Sequence, residues 1–155
     1  MTFPDVTRRE MRRIDERAGD ENGEFAERLV AAHYGITHAN DRADWYDCVH
    51  EERGTKYEVK ATQVRIDGLD PDSRVEVGGR FRLWEGQTRS LLNSDAQNTA
   101  WFVFVLLDEN GSPVDHRRMR PSTVWSLVRD EFGGWDESGH REMGRQQKVP
   151  IEAVF

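Results

Sequence analysis

Asp47, Glu58 and Lys60 are spaced so that one short fold of the chain sets two carboxyls and an ammonium on a common surface. The stretch Asp47-Cys-Val-His-Glu-Glu-Arg-Gly-Thr-Lys-Tyr-Glu58-Val-Lys60 reads as a β-hairpin. Tyr46, Cys48 and Val49 suit a strand, Glu51 to Gly54 a polar turn, and Lys56 to Ala61 the return strand. A turn centred between Glu52 and Arg53 sets Asp47 directly opposite Glu58. Residues opposed in an antiparallel pair have Cβ atoms roughly 4.5–5.5 Å apart. Side chains alternate along a strand, so Lys60 shares the face of Glu58 while Tyr57 and Val59 face away. Two acids that close repel each other unless a cation lies between them. The expectation is a hard divalent metal with a lysine beside it.

The elements around this hairpin follow from periodicity. Residues 5–18 are helix-compatible, with Val6, Met11 and Ile14 as a sparse apolar stripe. Asp20, Asn22 and Gly23 are expected to cap a second helix over Glu24–Tyr34, where Phe25, Ala26, Leu29, Val30 and His33 recur at helical spacing. Gly35 takes the usual place just past its end. After a polar loop over 38–44 comes the hairpin, then a surface loop at Asp67-Gly-Leu-Asp-Pro-Asp-Ser. Val75, Val77, Phe81 and Leu83 suggest short extended pieces turning at Gly78-Gly79, and 84–93 suggests a helix. The apolar run Trp101–Leu107 predicts a central buried strand, and Pro121–Arg129 a further helix with Pro in its first turn. Residues 133–155 have little periodicity. The order of elements gives a mixed α/β domain.

In that order, Gly23-Glu-Phe-Ala-Glu27-Arg-Leu-Val, Asp47-Cys-Val, Glu58-Val-Lys60 and Gln87-Thr-Arg-Ser-Leu-Leu resemble the PD-(D/E)xK nuclease superfamily. Within it the chain looks most like the archaeal Holliday-junction resolvase type. The resemblance implies an α/β fold with a restriction-endonuclease-like core, a central mixed β-sheet flanked by helices. Residues 1–155 would form a single domain, with the core at about 23–107 and a helical, basic extension over 112–155. Tyr46 stands where many members have proline, and Asp44 competes with Asp47. Asp47 fits better, because Cys48 and Val49 follow it as an acid–apolar–apolar strand.

The resemblance implies a deoxyribonuclease that uses Mg²⁺ or Mn²⁺, of structure-specific, restriction or repair type. Mg²⁺ takes oxygen ligands at about 2.0–2.1 Å and keeps several waters. Asp47, Glu58 and the Val59 carbonyl would supply protein ligands. Glu27 resembles the helix glutamate that binds a second metal or a metal-bound water; otherwise it is a surface helix acid. Lys60, beside two carboxylates, is expected to hold its proton, because nearby anions favour the charged form. Its first role is then to orient water and stabilise phosphate, and it becomes a base only once metal cancels those anions. Gln63 and Gln87 would orient the site or contact DNA. Arg117, Arg118, Arg120, Arg141, Arg145 and Lys148 would track the phosphate backbone. The alternative is a catalytically silent module of the same fold that binds DNA or a protein partner. A homodimer is expected, as in other small domains of this type.

Composition bounds these readings. The net charge of −7 would ordinarily argue against a nucleic-acid partner. Yet Lys56, Lys60 and Lys148 are the only lysines beside 19 arginines, and the mean hydropathy is strongly negative. This resembles proteins of salt-loving microbes, whose acidity is an adaptation to solvent; an ordinary acidic protein of a GC-rich genome is the alternative. In such salt the Debye length falls to ~3 Å at 1 M, so DNA would be held by short-range contacts. A single cysteine, Cys48, excludes an internal disulfide and a cysteine-rich zinc site. No run approaches the roughly 18 apolar residues of a membrane span. With no hydrophobic leader visible, a cytoplasmic protein is expected.

Overall fold

The computed structural model of the chain describes residues 2–19, 21–39, 45–67, 76–97, 99–137 and 144–155. In chain order these form α1 (Arg8–Ala18), α2 (Asn22–Tyr34), β1 (Thr37–His38), β2 (Cys48–Val49), β3 (Lys56–Gln63), β4 (Arg65–Asp67) and β5 (Glu76–Gly78). There follow β6 (Arg80–Trp84), α3 (Glu85–Gln97), β7 (Ala100–Leu107), β8 (Pro113–Met119), α4 (Pro121–Glu131), β9 (Asp136–Glu137), β10 (Arg145–Pro150) and a 3₁₀ turn at Ile151–Ala153. The central sheet has five strands in the order β1-β2-β3-β7-β8. It is mixed: β3 and β7 run parallel, with Glu58 beside Phe102 and Lys60 beside Phe104, and the other pairs are antiparallel. Parallel neighbours need a crossover, and here it carries β4, β5, β6 and α3.

The sheet is covered on both faces, which explains the unbroken apolar sequence of β7. On one side Val103, Val105 and Leu107 join Tyr57 and Val59 of β3 beneath Phe25, Leu29 and Val30 of α2. On the other, Phe102 and Phe104 pack with Phe81 and Leu83 of β6, Leu91 of α3 and Val124 and Val128 of α4. The odd-numbered residues of β3 therefore serve the first core. Glu58 and Lys60 face the α3 side.

Local chemistry sets the ends of the helices. Thr7 caps α1 reciprocally: its hydroxyl accepts the Glu10 N–H at 3.2 Å, and its own N–H donates to Glu10 Oε2 at 2.8 Å. The expected cap of α2 is corrected. Asn22 and Gly23 lie inside the helix, Glu21 holds the cap position without a side-chain bond, and Asp20 is outside the described residues. Gly35 ends α2 at φ 64°, the left-handed conformation that favours glycine.

Two further expectations change. The helix expected over 84–93 begins at Glu85 and runs to Gln97, because Trp84 is spent as the last residue of β6, opposite Gln146. The segment 112–155, expected as a helical extension, holds one α-helix and three strands among its described residues. β8 is the fifth strand of the central sheet and β10 pairs with β6. Both escape a periodicity reading because β8 is an edge strand that buries only Met119, and β10 buries only Val149. Residues 68–75, which include most of the expected loop and Val75, lie outside the described residues, as do Asp44, His140 and Arg141. No described helix is long and apolar enough to cross a membrane.

Candidate active site

The β2–β3 register pairs Cys48 with Tyr57 and Val49 with Lys56, so one step outward Asp47 faces Glu58. The connecting turn is closed by the His50 N–H donating to the Thr55 carbonyl and the Gly54 N–H to the His50 carbonyl, each at 2.8 Å. Gly54 adopts φ 69° within it. Asp47 is tied at both ends: its N–H donates to the Tyr57 carbonyl at 2.8 Å, and its Oδ2 accepts the Val59 N–H at 2.7 Å. The carboxylate thus stands where a strand would present a backbone carbonyl. It is locked against β3 beside Glu58.

Around this pair the structure gathers residues from three other places in the chain. Lys60 Nζ lies 3.4 Å from Glu58 Oε1 and donates to Gln87 Oε1 of α3 at 3.1 Å. Gln87 therefore orients the lysine. Glu27, on α2, lies beside Asp47 within hydrogen-bonding reach, and its Oε2 is 2.9 Å from His38 Nε2 on β1. Of the sequence-predicted site residues, Glu27, Asp47, Glu58, Lys60 and Gln87 come together. Val59 contributes its N–H to Asp47; the carbonyl is the group a metal would use.

The electrostatics follow from crowding acids in a shielded place. Glu58 is 4% exposed, and burial first, then Asp47, pushes its carboxyl up to about 8 against the opposing pull of Lys60. Glu27 is pushed up to about 9, again first by burial, then by its hydrogen bond to Asp47 and the charges of Asp47 and Glu58. Without a further cation, both glutamates are biased toward their protonated forms. Cys48 lies buried on the α2 side, its Sγ donating to the Glu27 carbonyl at 3.5 Å. Burial and the three acids push its thiol strongly up, so it is no nucleophile.

Such a donor set fits a hard divalent ion. The Asp47 carboxyl lies within hydrogen-bonding reach of both Glu27 and Glu58, and the Lys60 ammonium pairs with Glu58. Among the described residues no group of three or more His, Cys, Asp or Glu side chains is placed to hold a metal ion. Mg²⁺ does not require one, since it binds through one or two carboxylates and keeps waters that a phosphate can replace. Asp47 and Glu58 could hold it, with Glu27 behind them.

The expected DNA-contacting residues divide. Arg118 on β8 and Arg120, the N-cap of α4, clasp the Trp101 ring, their guanidinium carbons 4.2 and 3.8 Å from its centroid. Arg120 also meets Asp95 at 3.2 Å. Arg117 donates to the Val154 carbonyl at 2.6 Å, and Arg145 to the Trp135 carbonyl with Glu85 3.6 Å away. Lys148 lies on β10 opposite Arg82. Gln63 is not brought to the acids; its amide donates to the carbonyls of Asp108 and Glu109 at 3.3 and 3.4 Å. Sequence reasoning missed His38 as the partner of Glu27. It also passed over Lys56, which strand alternation alone places on the face of Glu58 and Lys60.

The family model for a PD-(D/E)XK nuclease superfamily domain matches residues 12–155. No curated protein matches the chain. The match spans all four clustered acidic and basic residues, Glu27, Asp47, Glu58 and Lys60, together with the mixed sheet that presents them. The chain belongs to the PD-(D/E)XK nuclease superfamily.

Proposed function

We propose that the protein is a Mg²⁺- or Mn²⁺-dependent deoxyribonuclease that hydrolyses phosphodiester bonds at the Asp47–Glu58–Lys60 cluster. The observation that carries this reading is the Asp47 carboxyl lying against those of Glu27 and Glu58, with the Lys60 ammonium 3.4 Å from Glu58. Asp47, Glu58 and the Val59 carbonyl would hold the metal, with Glu27 toward a second metal or a bound water. When bound, the ion activates water and stabilises charge on the phosphate in the transition state. Lys60, held by Gln87, directs its ammonium at the phosphate and orients the attacking water. To hold the cation, Glu58 and Glu27 would give up their protons. Val59 N–H keeps the Asp47 carboxylate aimed while this exchange occurs.

Arg118 and Arg120, stacked on Trp101, offer short-range contacts of the kind that survive high salt. This suits DNA binding by an acidic protein of halophilic, archaeal type. The same resemblance extends to a cytoplasmic homodimer of one domain, which sedimentation at high KCl tests. Cleavage of single strands, duplexes and four-way junctions with each metal tests the activity. Calorimetry with Mg²⁺ tests the site: binding in the wild type and none in Glu58→Gln supports it. Binding of DNA without turnover on any substrate would leave the silent module instead.

A further inference from the structure

Lys56, Glu58 and Lys60 occupy one face of β3, and α3 lies along them. Lys60 bonds Gln87, and Lys56 Nζ reaches Ser94 Oγ, two helical turns later, at 3.4 Å. Beside Lys56 the structure opens a cavity of about 310 Å³ lined by Trp45, Lys56, Ser90, Asn93, Ser94 and Gln97. Four of these residues stand at i, i+3, i+4 and i+7 on α3, a spacing that ordinarily carries an apolar stripe into a core. Here it carries two hydroxyls and two amides. None of the six belongs to the acid cluster.

The contents of the cavity match the parts of one nucleotide. The Trp45 indole offers a surface for a base, and sequence-tolerant stacking of this kind is how single strands are commonly held. Asn93 and Gln97 amides can pair with the donors and acceptors on a base edge that Watson–Crick pairing would otherwise occupy. Lys56, whose Nζ lies 5.0 Å from the Trp45 ring centroid, is a point charge for a phosphate. The volume lies at the small end of ligand sites. Lys56 and Glu58 are two residues apart on a strand, roughly 7 Å, so the nucleotide would adjoin the one being cleaved.

A separate cavity, of about 410 Å³, shares only Gln97 with the first. It is bordered by Arg53, Trp101 and Arg118, and there Arg118 already stacks on Trp101.

We propose that the Trp45–Lys56–Asn93 cavity receives an unpaired nucleotide next to the scissile phosphate, which makes the substrate DNA that is single-stranded or opened at the point of cleavage. This rests on the nuclease reading above.

The test separates binding from turnover. In EDTA, fluorescence anisotropy of fluorescein-labelled dT12 and of a blunt 12-base-pair duplex is measured with the full chain. The wild type is expected to bind dT12 about tenfold more tightly than the duplex. Asn93→Ala, an exposed position, and Lys56→Gln are each expected to weaken dT12 binding by about tenfold with unchanged melting curves. Equal affinity for dT12 and duplex, or wild-type dT12 binding in a folded Asn93→Ala protein, overturns the proposal. Cleavage with Mg²⁺ distinguishes the two readings. Cleavage of duplex at equal rates in wild type and Asn93→Ala overturns this pocket and leaves the nuclease. Asn93-dependent dT12 binding without any cleavage overturns the nuclease and supports the pocket.

Discussion

The Asp47 carboxylate accepts the Val59 backbone N–H at 2.7 Å, so an acid side chain completes the ladder between β2 and β3. On the nuclease reading this bond serves structure and chemistry at once, and two substitutions separate the roles. Asp47→Asn keeps an acceptor for Val59 and should melt within a few degrees of the wild type. Asp47→Ala leaves the amide without its partner and should lose about 1–3 kcal/mol in urea unfolding. Both should lose cleavage by about a hundredfold or more, since neither supplies the anionic ligand. Activity retained in Asp47→Asn would remove Asp47 from the chemistry.

The raised carboxyls make the metal-free protein pH-sensitive. Glu58 ordinarily titrates near 4.5 and is held up to about 8 in the fold, with Glu27 up to about 9. Between these values the folded state keeps protons that the unfolded chain has released. Stability in EDTA should therefore fall as pH rises from about 4.5 toward 9, and level off above. Glu58→Gln removes its share of this fall, so it should melt above the wild type at pH 8 and converge with it near pH 4.5. Added Mg²⁺ should raise the wild-type melting temperature most at high pH, where no protons compete. Parallel pH–melting curves for the two proteins in EDTA would contradict this.

Gln87 holds Lys60 from a different element, with its Oε1 accepting the ammonium at 3.1 Å. Gln87→Ala should leave the fold intact and lower the single-turnover cleavage rate by about 10–100-fold, the usual scale for a supporting partner. Little change in DNA affinity is expected. An unchanged rate would mean that Glu58 alone positions Lys60.

Gly79 sits where the chain leaving β5 crosses the end of β3, and its N–H donates to the Val64 carbonyl at 3.2 Å. A Cβ there would collide with the Gln63 carbonyl oxygen and crowd Thr62 Oγ1. Gly79→Ala should destabilise by about 1–3 kcal/mol, as overpacking does, measured by urea unfolding. A neutral result would show that this crossing is pliable.

What the sequence allowed to be read depended on how local each signal was. The hairpin register, α2 with its Gly35 terminus, and the buried β7 each carry strong periodicity or turn chemistry within a few residues. β8 does not, because an edge strand of Pro-Val-Asp-His-Arg-Arg-Met hides its alternation among exposed polar residues. His38 could not be linked to Glu27 from sequence. Their meeting depends on β1 pairing with β2, across a loop of no periodic pattern. Lys56 lay on a face already identified, but its meaning waited on α3, whose polar positions face it only once the crossover is folded. Gln63, on the opposite parity from Lys60, turned out to fasten the β7–β8 turn.

Metal-dependent hydrolysis at one cluster is the central proposal. The direct measurement is single-turnover cleavage of labelled dT12 and of plasmid DNA across a Mg²⁺ titration at low and high KCl, for the wild type and Lys60→Met purified side by side. The predicted result is cleavage that rises saturably with Mg²⁺, is abolished by EDTA, and is lost in a Lys60→Met protein with wild-type melting. Equal cleavage by the two proteins, or none by the wild type with Mg²⁺ or Mn²⁺ at any salt, would contradict it.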